Sequence, residues 1–191
     1  MVVRRLNIRR MTDLVIRFGC LNARQQSEYT AMRDTIRQRG TARMVLVPVV
    51  FIGWAAIAVA TAAVITVALS TIVPLLVLAA GFEAVFALHM NVERIGRYLQ
   101  VFHEREGGWE QVAMAFGTRF PPTGPDPLFA QLFVFGVSVN FLPAALGGEV
   151  LEVAIIAAIH LVVVYRIRMA KGVAAKGRAE DLQRFEQLRA E

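Results

Sequence analysis

Four stretches of the chain are apolar almost without interruption, at about 44–67, 73–92, 128–146 and 149–169. Between and around them the polar residues gather into three charged blocks and two short uncharged turns. At about 1.5 Å of rise per residue each stretch suits a hydrocarbon core of about 30 Å, allowing for tilt or a bend. The pattern predicts an all-α integral membrane protein whose four transmembrane helices form two hairpins. The first hairpin turns through Ser70 to Pro74, with Pro74 in the first turn of its second helix. The second turns at Gly147-Gly148, shortly after Pro143, which is expected to bend or end the third span. Pro48 and Trp54 lie inside the first span, whose Ala55, Ala56, Ala58, Ala60, Ala62 and Ala63 allow close helix approach.

The charged blocks carry a weaker, helical periodicity. Met11, Leu14, Val15 and Phe18 recur at i, i+3, i+4 and i+7 beside Arg9, Arg10 and Arg17, which predicts a short amphipathic helix stopping at Gly19. A second helix is expected from Ser27 to Arg39, ending at Gly40. After the second span Val92, Ile95, Leu99 and Phe102 prolong the helix, with Glu93 and Arg97 as i,i+4 partners. Gly107-Gly108 breaks it, and Trp109, Val112, Ala113 and Phe116 form the apolar face of another short interfacial helix. A Pro-rich linker leads to Asp126, placed to cap the third span with Pro127 in its first turn. In the tail, Asp181, Leu182, Phe185 and Leu188 suggest a separate short helix. The units are thus a basic arm (1–43), a span domain (44–170) with an amphipathic insert (93–127), and a charged tail (171–191).

Charge orients this arrangement. The chain has 191 residues and 21 Lys and Arg, yet none between Arg43 and Arg94 and none between Arg119 and Arg166. Ten basic residues precede the first span, four lie in the insert and seven follow from Arg166 onward. With four spans these blocks share one face, and the positive-inside rule makes it the cytoplasm. Only Lys171 and Lys176 are lysines; with the high alanine content, this fits a GC-rich bacterial genome and hence a bacterial inner membrane. Arg9, Arg10, Arg17, Arg43, Arg94, Arg97, Arg166 and Arg168 are candidate contacts to anionic lipid headgroups. The aromatic-interleaved basic face of a nucleic-acid binder is not visible. Cys20 is a lone cysteine, so no intrachain disulfide is expected, and more than forty mixed residues ahead of the first span argue against a cleaved leader.

Within the spans, Glu83, His89, Asn140, Glu152 and His160 need a reason to be there, because ionisable groups in hydrocarbon are costly unless paired. His89 precedes Arg94 by five residues and His160 precedes Arg166 by six, which predicts two imidazoles level in the cytoplasmic third, with Glu83 and Glu152 deeper and the set facing the bundle. Three readings compete. These groups form interhelical hydrogen bonds that fix helix packing, with a neutral Glu83 as a donor. Alternatively Glu83 and His160 form the ionisable pair of a small proton-coupled transporter. In the third reading, His89 and His160 are axial ligands of a haem b in an electron-transfer subunit. The first is preferred, with no cofactor.

Other chemistry finds little support. There is no phosphate-binding loop, no paired-cysteine motif, no His-Glu-x-x-His and no nucleophile elbow. His103-Glu-Arg-Glu106 reads as a solvated helix face before a metal site, and Glu149 with Glu152 as the acidic start of a helix. Ser138 and His160 do not make a convincing hydrolytic pair. The sequence leans away from an enzyme, toward an accessory or assembly subunit that acts as a homo-oligomer or within a larger membrane complex.

Overall fold

The computed structural model describes residues 3–64, 67–104, 107–120 and 126–191, with side chains from Ala23 onward except that of Thr118. The side chains of the amphipathic stripe Met11, Leu14, Val15 and Phe18 and of the flanking Arg9, Arg10 and Arg17, and the whole of the linker 121–125, therefore lie outside what is described. Five α-helices follow in order: α1 (Val3–Val64), α2 (Ile72–Phe102), α3 (Trp109–Arg119), α4 (Ala130–Gly147) and α5 (Val150–Ala190), with a 3-10 turn at Ala68–Thr71 before α2. The described residues hold no strand. α1, α2, α4 and α5 are each long and apolar enough to cross a membrane.

α2 is the hub. Its apolar window is 44% buried, against 11% for α1 and 17% for α5. Leu75, Leu78, Phe82, Val85 and His89 recur at helical spacing and are all buried, so one face of α2 lies inside the bundle. Phe82 meets Phe133 of α4 edge-on, with ring centroids 5.3 Å apart, and Phe51 of α1 lies the same distance from Phe133. At Gly81 a β-carbon would overlap the methyl groups of Val50, so the missing side chain lets α1 and α2 approach.

Three helices run on where the sequence predicts stops. α1 passes through Gly19 and Gly40 without ending, and holds Pro48 within it as expected. A glycine costs an exposed helix only about 1 kcal/mol, which the contacts of α1 with α2 and α3 offset. α4 runs through Pro143, and α5 continues from the span into the tail, so Asp181 to Leu188 belong to one long helix. The expected break before Trp109 does occur, but α2 already ends at Phe102; Gly107, at φ +80°, a conformation that suits glycine, and Gly108 lead into α3, which begins at Trp109. Asp126 accepts hydrogen bonds from the Leu128 and Ala130 backbone N–H groups. Its cap is displaced, because Phe129 takes a left-handed φ of 52° and the helix starts only at Ala130.

Beyond the spans, at the basic end, the extensions of α1, α2 and α5 gather with α3 into a helical head. Tyr98 and Phe102 of α2 pack edge-on against Phe185 of α5. Ion pairs Arg94–Asp181 at 3.0 Å and Arg178–Glu93 at 2.7 Å join the same two helices. This replaces the Glu93–Arg97 pairing expected along α2.

Candidate functional site

The polar residues of the spans fall into three separate groups. The first is centred on Asn140, buried on α4. Its Oδ1 accepts from the Trp54 indole N–H at 3.0 Å. Its Nδ2 donates to the Thr71 carbonyl at 2.8 Å and approaches His160 Nε2 at 3.1 Å. His160 Nδ1 lies 2.8 Å from the Ile156 carbonyl, which can only accept, so Nδ1 carries the hydrogen and Nε2 receives from Asn140. One amide thus ties α1, α4, α5 and the turn before α2, and both ring nitrogens of a neutral His160 are engaged.

The second group lies at the basic end of the spans. Arg43 of α1 donates to His89 Nδ1 of α2 at 3.1 Å, and the ring is buried. An arginine is always a donor, so Nδ1 holds a lone pair in this contact. Arg43, expected at the headgroups, is half-buried against the bundle.

The third is an ion pair between α2 and α5. Arg166 Nη2 lies 2.8 Å from Glu83 Oε2, and the guanidinium stacks over the Phe86 ring at 4.8 Å. Both side chains remain substantially exposed, 39% for Arg166 and 47% for Glu83.

Glu83 therefore lies at the surface of the bundle, not in its interior, and its partner is Arg166, not His160. The expected levelling of the two imidazoles also fails. His160 shares Asn140 with Thr71, and Thr71 precedes His89 by eighteen residues, about 27 Å at helical rise. His160 lies farther from the basic end than its six-residue spacing to Arg166 suggests, because Arg166 pairs with Glu83 partway along the two helices and does not mark where the apolar stretch stops. Glu152 accepts from the Leu69 backbone N–H at 3.0 Å, linking α5 to the turn before α2, and Glu149 is the exposed cap residue of α5. Among the described residues no group of three His, Cys, Asp or Glu side chains is placed to hold a metal ion.

In the head, Arg33 of α1 donates to Glu104 at 2.9 Å and to Glu110 of α3 at 2.8 Å. Glu110 also receives Arg97 at 3.2 Å, and Arg97 donates to Gln100 at 2.6 Å and contacts the Met114 sulfur. Arg97, expected at the lipid surface, is buried, and burial pulls its guanidinium below arginine's ordinary pKa. Glu104 further accepts from the Glu110 backbone N–H at 2.8 Å. His103 sits against Glu28 at 4.0 Å and packs on Tyr29 and Tyr98, so the expected solvated face is half-buried. Arg94 is exposed but paired with Asp181, and Arg168 is exposed. Nothing in the sequence alone sets Arg33 apart from the other arginines of its helix. The available signal was an arginine inside a helical stretch rich in arginine, with unmatched acids at Glu104 and Glu110. Compared with models of protein families, with curated proteins and with solved structures, the chain matches none.

Proposed function

We propose that this chain is a non-enzymatic accessory or assembly subunit of the bacterial inner membrane. It would cross the bilayer four times, as two hairpins with both termini in the cytoplasm. The observation that carries this reading is Asn140. All three of its hydrogen bonds, to Trp54, Thr71 and His160, hold helices together. Groups of this kind serve helix packing in a medium that offers no competing water. The head of ion-paired helices at the basic end presents a surface on which cytoplasmic partners can assemble, and exposed Arg168 beside the spans suits anionic headgroups.

Exposed Trp109, Val112 and Phe116 form one face of α3, continued by exposed Phe120 just past its end, while Glu110 and Met114 on its other side engage Arg97. That division suits a helix lying in the inner leaflet. The proton-coupled reading would need Glu83 and His160 to exchange a proton, and the haem reading would need His89 and His160 at one depth. The geometry favours neither arrangement.

The test is affinity purification of the full chain from native membranes in mild detergent. A partner recovered in fixed proportion supports the reading. A protein recovered alone, whose Glu83→Gln variant loses pH-driven transport in vesicles while staying folded, would replace it with the transporter.

A further inference from the structure

Directly opposite its buried face, α2 carries an exposed stripe of Leu76, Ala80, Glu83, Ala84 and Ala87, at spacings of three and four residues. Along the central helix of the bundle, this is the side that the other helices leave uncovered. Glu83 sits within it, six residues or about 9 Å from His89 toward the middle of the span, beside Arg166 of α5. Two charges this exposed are poorly served by hydrocarbon, which offers neither hydrogen bonds nor screening. The Arg166 guanidinium has five N–H donors and reaches Glu83 through one nitrogen. The neighbouring alanines leave room for another helix backbone to come close, with Ala80 and Ala84 in small-xxx-small spacing.

We propose that this α2–α5 face is the contact between two copies of the chain in the membrane. Charge points to a second copy as the occupant. The patch holds one acid and one base at the same depth, so it is complementary to itself. Copies in one membrane are related by a two-fold axis along the bilayer normal, which leaves depth unchanged. That axis sets Glu83 of each copy beside Arg166 of the other, giving a ring of four alternating charges in which each carboxylate meets two guanidinium groups. The alanines let the two α2 helices close around it. The proposal rests on the membrane-spanning reading above and is independent of any foreign partner.

The experiment is oxidative crosslinking in native membranes of the full chain carrying Cys20→Ser and one new cysteine at a time. Ala84→Cys and Ala87→Cys should give a crosslinked dimer, whereas Val59→Cys on exposed α1 should not. Adding Glu83→Arg to Ala84→Cys places like charges together and should lower the dimer fraction about tenfold. The exchange Glu83→Arg with Arg166→Glu should restore it. Circular dichroism and detergent thermal stability check that each variant is folded. Absence of a dimer at both alanine positions in folded protein, or equal crosslinking at Val59, overturns the proposal. Either result leaves recovery of a foreign partner unaffected, so the two readings fail separately.

Discussion

Asn140 and His160 share a hydrogen bond of 3.1 Å that holds the imidazole in one tautomer, with its other nitrogen on the Ile156 carbonyl. The same amide receives the Trp54 indole, so three helices lose a partner together if it is removed. Asn140→Ala should lower stability in detergent by about 1–3 kcal/mol, since intramembrane hydrogen bonds contribute about 0.6 kcal/mol on average and a buried unmet donor costs more. Trp54 emission should shift as its N–H loses its acceptor. Unchanged melting and emission would mean that the network contributes nothing to packing.

That network shows how far the sequence could be read. The four apolar helices are legible from composition and length alone, because a long, nearly charge-free apolar run marks each of them whatever its neighbours are. Pairing does not follow, since it depends on helix rotation and axial offset, and neither is written in spacing along one helix. Asn140, Glu83 and His160 were visible as polar residues needing partners; that Asn140 takes Trp54 and His160, and Glu83 takes Arg166, was not. The expected stops at Gly19 and Gly40 misled for a related reason. A glycine's local cost is small beside tertiary contacts such as Arg33 with Glu104 and Glu110, which only the folded chain reveals.

Gly81 marks a close approach of α1 to α2, where a β-carbon would meet both methyl groups of Val50. Gly81→Ala should destabilise the bundle by about 1–3 kcal/mol through overpacking. Val50→Ala makes room at the same point, so the double variant should recover part of the loss. Thermal melts of the two single variants and the double variant check this coupling, and strict additivity would contradict it.

Glu110 is shared by Arg33 and Arg97, so its carboxylate joins α3 to both α1 and α2. Glu110→Ala leaves Arg97, only 5% exposed, without its carboxylate partner. The expected cost is about 2–3 kcal/mol, at or just below the ~3–5 kcal/mol of a fully buried pair, because Arg33 is partly solvated. Hydrogen exchange should rise along α3 and less in the spans. Protection of α3 equal to that of the unaltered protein would show that the helix is held by something else.

Tyr98 donates its hydroxyl to Glu28 at 3.0 Å; burial, then that carboxylate, push its pKa above the phenol's ordinary value of about 10. The folded state therefore holds this proton more tightly than the unfolded state. The associated stability is complete below about pH 10 and is lost as pH rises from there toward the folded value. Tyr98→Phe should flatten this part of the stability profile between about pH 9 and 11. A profile unchanged by the substitution would remove the tyrosine from the account.

The central claim is a bundle crossing the membrane four times, with its basic ends together in the cytoplasm. Cysteine labelling tests it most directly, in a Cys20→Ser background with a membrane-impermeant maleimide on cells whose inner membrane is intact. Leu69→Cys and Gly147→Cys, in the two turns opposite the basic end, should react from outside, while Ala190→Cys should react only after lysis. Labelling of Ala190→Cys in intact cells, or failure of both turn positions to react until lysis, would contradict it.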